Sequence, residues 1–197
     1  MRRLPFYIAT AALFFAVGCS SEQDSNTHDS TAVIAISDES KTPDTVLLLV
    51  PGKSAGNIRL NEDTEPIHRA LGKPDAGDAA MQKAVAIWYK DHDPKSYATA
   101  IYSVRDTGDS PVARVKQIRS TSPLYRTSTG IGVSSALEDI QKKFIVKEVP
   151  DYTGEKGIKI YDSKDGIAFE IGTDMKCQAI LVHPAGEEIK ATYLPLR

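Results

Sequence analysis

The sequence predicts an α+β protein built from two tandem repeats, each a short helical segment followed by an antiparallel β-meander, with the helices packed on one face of the sheet. Three observations carry this. A shift of 73 residues superposes Ile58 on Ile131, Leu60 on Val133, Ile67 on Ile140, Leu71 on Phe144, Val85 on Ile158, Ile87 on Ile160 and Trp88 on Tyr161, and a constant offset marks a repeat. Apolar residues in both units alternate with period two, the strand signature. Short turn-rich loops separate these runs, which implies antiparallel pairing.

Taken in order, the chain opens with a basic Met1-Arg2-Arg3 and the apolar run Leu4 to Gly18. That is the length of a signal-peptide core and too short for a comfortable membrane span. Ala16-Val17-Gly18-Cys19 resembles the bacterial lipobox, so residues 1–18 read as a lipoprotein signal peptide and Cys19 as the acylated residue. Acylation of Cys19 leaves Cys177 as the sole thiol of the mature chain. It has no partner for an internal disulfide and too few companions for a Cys/His zinc site, so it reads as a buried, inert strand cysteine. Residues 19–44 are rich in Ser, Thr and Asp and read as a disordered tether. Residues 45–197 form the two-repeat domain, repeat 1 at about 54–120 and repeat 2 at about 127–195.

The run Val46 to Val50 reads as a strand beside the C-terminal one. Gly52-Lys53-Ser54 ends like a phosphate-binding loop, but position 47 holds leucine where the motif needs glycine, and no helix pattern follows. A nucleotide site is therefore rejected. In repeat 1, Asn61 can cap a helix that Pro66 should shorten. Strands are expected at 84–90, 97–105 and 112–120, with Asp91-His92-Asp93-Pro94 as a turn rather than a metal site. In repeat 2, Ser135 to Glu138 reads as a capping box before a helix carrying Leu137, Ile140 and Phe144. Strands at 157–162, 166–172, 176–183 and 188–194 follow.

Arg119 to Phe144, with Ser122-Pro123, Thr127 and Gly130 to Val133, resembles the joint in periplasmic lipoproteins of the β-lactamase-inhibitor-like superfamily, to which the SmpA/OmlA-type assembly lipoproteins are similar. Gly72-Lys73-Pro74-Asp75 resembles the family's first-helix ending. The resemblance implies a helical layer on an antiparallel sheet whose exposed face and loops bind other proteins, with no common active site.

If Val85, Ile87, Ile158 and Ile160 face the core, alternation turns Trp88, Ile101 and Tyr161 outward. These three are the candidate partner-binding residues, an apolar cluster that serves as a partner site if the sheet face is open; the competing reading is that another loop or the second unit covers it. No G-x-S-x-G elbow anchors hydrolase chemistry, and no catalytic residue, metal site or cofactor is expected. The formal net charge of −2, or −4 without Arg2 and Arg3, has no concentrated basic face for nucleic acid. Lys116, Arg119, Arg126, Lys142 and Lys143 form loose basic clusters, read mainly as solvated surface with a lesser reading as contacts to anionic lipid or glycan. The functional expectation is a non-catalytic protein-binding or assembly lipoprotein of the cell envelope, anchored in membrane lipid through Cys19 and sorted to the outer membrane rather than the inner. The alternative is a periplasmic enzyme or small-ligand-binding protein with a cleft between the repeats.

Overall fold

The computed structural model describes residues 47–150 and 157–189. The signal peptide, Cys19, the tether and most of the expected strand 188–194 lie outside the described residues. Strands β1 (Leu48–Val50), β2 (Ser54–Ala55) and β3 (Ile58–Arg59) precede helix α1 (Thr64–Leu71), then β4 (Ala76–Ala80), β5 (Lys83–Tyr89), β6 (Ala98–Arg105) and β7 (Ala113–Ser120). Strand β8 (Arg126–Thr127) and helix α2 (Leu137–Lys143) lead to β9 (Val146–Glu148), β10 (Lys159–Ser163), β11 (Ile167–Ile171) and β12 (Cys177–Val182).

The protein is mostly β, which overturns the expected α+β architecture of two helix-plus-meander repeats. Among the described residues, twelve strands form two sheets, one of four strands in the order β3-β2-β1-β8 and one of eight in the order β4-β5-β6-β7-β12-β11-β10-β9. The helices have only eight and seven residues. At 1.5 Å per residue each spans about 12 Å, while eight strands spaced about 4.8 Å apart are roughly 34 Å wide. Two such helices cannot form a layer over that sheet. The repeat also fails locally: Ile58 lies in β3 and pairs within the small sheet, whereas its counterpart Ile131 is in a loop. Strand β1 pairs with β2 and, in parallel, with β8, so its expected place beside a C-terminal strand is not the one it takes.

The large sheet is buried on both faces at its centre. One face carries Ala86, Trp88, Ile101, Ile118, Phe169, Ile171, Ile180 and Val182, which cluster with Ile67 of α1 and Leu137 and Ile140 of α2. Val85, Ile87, Ala100 and Tyr102 form a second cluster, and Ile160, Ala168, Leu181 and Ile189 a third. In β11 all five side chains are buried, four of them apolar and the fifth Glu170, as in a strand covered on both sides. Alternation fixes which residues share a face but not whether that face is open, and here neither face of the central strands is.

The helix ends also differ from expectation. Asp63, not Asn61, caps α1, its Oδ1 accepting from Glu65 N at 2.9 Å. Asn61 instead takes φ +64°. The capping box at α2 does not form: Ala136 is the N-cap residue, and Ser135 Oγ accepts from Gly132 N at 3.0 Å. Loop hydrogen bonding has competed successfully for a side chain that helix capping also suits.

Candidate functional site

Trp88 sits near the end of β5, and the chain around it is arranged to hold it. Its indole Nε1 donates to the carbonyl oxygen of Gly72 at 3.0 Å. Gly72 ends α1 at φ +79°, a conformation open to glycine at little cost, and so turns that carbonyl toward the indole. His68, on the last turn of α1, places its ring 5.3 Å from the indole at a tilt of 52°, a favourable aromatic geometry. Trp88 is 7% exposed and Ile101 1% exposed. Tyr161 is half-buried and packs against the same cluster. Of the two readings of this face, open or covered, the structure has the covered one. The three share a face as alternation requires, but that face is the one joined by α1 and α2.

Trp88 nevertheless borders a groove of about 430 Å³, together with Leu71, Tyr97, Leu124 and Tyr125. Leu71, Tyr97 and Leu124 keep 43%, 37% and 59% of their surface exposed. Lys90 lies 5.4 Å above the Tyr97 ring, a cation–π contact at the rim. Burial raises the Tyr125 hydroxyl above the ordinary phenol range, partly offset by a hydrogen bond with the Thr99 side chain. Tyr125 therefore stays a neutral phenol at physiological pH. The groove's open surface is mainly apolar, with Lys90, Ser122 and tyrosine hydroxyls among its lining groups, an arrangement suited to binding. Of its principal residues the sequence singled out Trp88 alone. Leu124 and Tyr125 were missed because they follow Ser122-Pro123 in a loop, where no periodicity marks them. The usable signal was an apolar pair on a segment that loops usually leave polar.

Other candidate positions are placed as follows. Asp91 and His92 form a tight 3₁₀ turn with positive φ, and His92 Nδ1 lies 2.6 Å from Asp75 Oδ1. Asp75 Oδ2 accepts from Tyr89 N at 2.8 Å. That backbone bond first, then the His92 contact, holds the Asp75 carboxyl below its ordinary value. His183 is buried, its Nε2 2.8 Å from Asp162 Oδ1 and its Nδ1 3.1 Å from the carbonyl oxygen of Pro184. Asp162 Oδ2 also accepts from Ile189 N at 3.0 Å, so this cluster ties the 183–189 loop to β10. Cys177 begins β12 and is 2% exposed; burial, then the Glu170 carboxylate, pushes its thiol up to about 12. Lys53 is exposed, and strand β2 rather than a helix follows it. The backbone cradle of a phosphate-binding loop is therefore not formed there.

No protein-family model matches the chain, and no curated protein matches it. Among solved structures it is similar to a DUF4309 family protein, YjgB, from Bacillus subtilis, with 18% identity over 68% of this chain and 88% of that one. The TM-score is 0.42, a likeness that carries no argument about this chain's function.

Proposed function

We propose that the chain is an envelope lipoprotein, anchored through Cys19, that acts as a non-catalytic protein-binding or assembly module and receives an apolar segment of a protein partner in the groove beside Trp88. The observation that supports this is the rim of Leu71, Tyr97 and Leu124, left exposed around a fixed indole. Aromatic anchors in a preformed apolar depression are the common core of protein interfaces. The stretch from Arg119 to Phe144, which resembles assembly lipoproteins whose sheet faces and loops bind proteins, supplies Leu124 and Tyr125.

The test uses the sole tryptophan of the chain. A photo-crosslinking residue at position 124 should capture one protein in intact envelopes, and the same residue at 147, on β9, should not. The captured protein's segment, added to the purified chain, should then shift Trp88 emission, and Leu71→Asp should abolish both signals. Capture without any change in Trp88 emission overturns the reading. So does a chain that crosslinks to a second copy of itself through position 124. The groove's volume also falls in the range of small-molecule sites; a Trp88 response to small apolar ligands without any protein crosslink would favour that second reading.

A further inference from the structure

Lys53, Arg59 and Lys116 line a separate concavity of about 530 Å³, with Gly52, Asn61 and Glu187 among its other walls. Glu187 is the one carboxylate among the lining residues. None of the three cations makes an ion pair among the described residues, whereas Lys90, Arg114, Arg119, Lys142 and Lys159 each have a carboxylate partner. Lys116 Nζ donates to Asn61 Oδ1 at 2.9 Å. Glu62, the nearest other acid along the chain, has its Oε1 2.8 Å from the Arg59 backbone N, which donates to it.

The frame that carries these cations is tied together by backbone bonds. The carbonyl of Lys53 accepts from Leu60 N at 2.7 Å, and the carbonyl of Val115 accepts from Asn61 N at 2.7 Å. Val115 N in turn donates to the carbonyl of Glu62 at 3.0 Å. The turn at Gly52 is pressed onto its neighbours: Gly52 N donates to the carbonyl of Gly166 at 3.0 Å. A Cβ on Gly52 would meet Ala185 Cβ at 2.9 Å, and one on Gly166 would meet Gly52 Cα at 2.6 Å. Segments 52–53, 59–61 and 115–116 therefore fix the backbone that carries three cations around one space before any ligand arrives. Such preorganisation lowers the ordering cost of binding. Like charges around one concavity repel one another, with salt screening the repulsion over roughly 8 Å at physiological ionic strength, and an anion among them relieves it. The concavity is positive on a chain whose formal net charge is −2.

We propose that this concavity binds a phosphate-bearing anion, with Lys53, Arg59 and Lys116 as its cationic contacts. The recognition is by side-chain charge and not by a backbone cradle, and it is independent of the apolar groove. The phosphate could come from solution or from a glycerophospholipid headgroup, and the probes separate these sources. Titration calorimetry of the full chain in detergent at low salt uses inorganic phosphate and glycerol 3-phosphate. Saturable binding is expected, weakened about tenfold by each of Lys53→Ala, Arg59→Ala and Lys116→Gln, the ratio that loss of one charge-assisted hydrogen bond produces. Lys147→Ala, on β9, should leave affinity unchanged, and the near-ultraviolet signal of Trp88 should show every variant folded. Clear preference for glycerol 3-phosphate assigns the headgroup as the source, and equal affinity assigns free phosphate. Absence of saturable heat with both probes overturns the proposal, as does a Lys147→Ala effect equal to that of Lys53→Ala.

Discussion

Trp88 is held by burial, by its bond to Gly72 and by the His68 ring. Its replacement by alanine should therefore lower unfolding stability by about 3–5 kcal/mol, the usual cost of deleting a large aromatic from a core. Denaturant unfolding followed by circular dichroism measures this, and a loss under about 1 kcal/mol would mean that the indole is not the fixed floor described here. The groove is better probed at Leu124, whose exposure leaves stability nearly untouched. Cys177 gives a second prediction. With its thiol near 12, the nucleophilic thiolate is scarce at neutral pH. Alkylation of Cys177, mapped by mass spectrometry, should be negligible in the folded chain at pH 8 and complete in denaturant. Rapid labelling without denaturant would contradict its burial. The sequence made Cys177 legible as a strand cysteine because its neighbours alternate. It could not reveal that Trp88 is covered, because coverage depends on residues far along the chain.

Individual strands were legible where β-branched and aromatic residues alternate. The expected 84–90, 97–105 and 112–120 correspond to β5, β6 and β7 within a residue at each end. Strand β4, Ala-Gly-Asp-Ala-Ala, was not legible, having no residue that favours strands. It exists because β5 supplies a full antiparallel register, Ala76 opposite Ile87 through Ala80 opposite Lys83. Between elements, the Arg119 guanidinium on β7 reaches over β12 to Glu170 on β11, with two hydrogen bonds of 2.8 Å and only 1% of the Glu170 side chain exposed. Breaking one side of such a pair leaves a buried charge unmatched. Glu170→Gln should cost about 3 kcal/mol or more by that reasoning, and the double change Arg119→Met with Glu170→Leu should cost less than the single one. Equal losses by thermal unfolding would show that the pair contributes shape alone. Asp75 joins the start of β4 to the 3₁₀ turn after β5. Its folded value is depressed, so its contribution is present above the unfolded carboxyl value of about 4 and is lost as pH falls through the folded one. Asp75→Asn should therefore flatten the acid limb of the stability–pH curve while leaving the neutral-to-alkaline limb parallel to that of the unmodified chain.

At the scale of the whole molecule, the eight-stranded sheet consists of β4 to β7 and β9 to β12, joined where β7 pairs with β12. The seam has three register pairs, Ser120 with Ile180, Arg119 with Leu181 and Ile118 with Val182. A backbone seam this short would let the two groups of strands open separately if each relied only on the small cluster of its own, Val85 to Tyr102 in the first and Ile160 to Ile189 in the second. The largest cluster is shared instead. Trp88, Ile101, Val115 and Ile118 from the first group lie in one cluster with Ile167, Phe169, Ile171 and Ile180 from the second, and the Arg119–Glu170 pair crosses the same boundary. Burial of apolar surface, at about 25 cal/mol per Å², therefore couples the groups more strongly than the seam's hydrogen bonds, each worth about 1 kcal/mol net. The sequence showed two similar halves and suggested two repeats; it could not show that the halves complete each other's core, since that is a property of pairing β7 with β12. The chain supplies a reporter on each side, Trp88 on β5 and Cys177 on β12. Trp88 emission and Cys177 alkylation should report the same urea midpoint, as a two-state transition requires. Ile118→Ala, at the seam, should lower both midpoints together, by an amount corresponding to about 2–5 kcal/mol. If Trp88 emission changes at a lower urea concentration than Cys177 becomes reactive, the first group unfolds alone and the shared core is not what holds the sheet together.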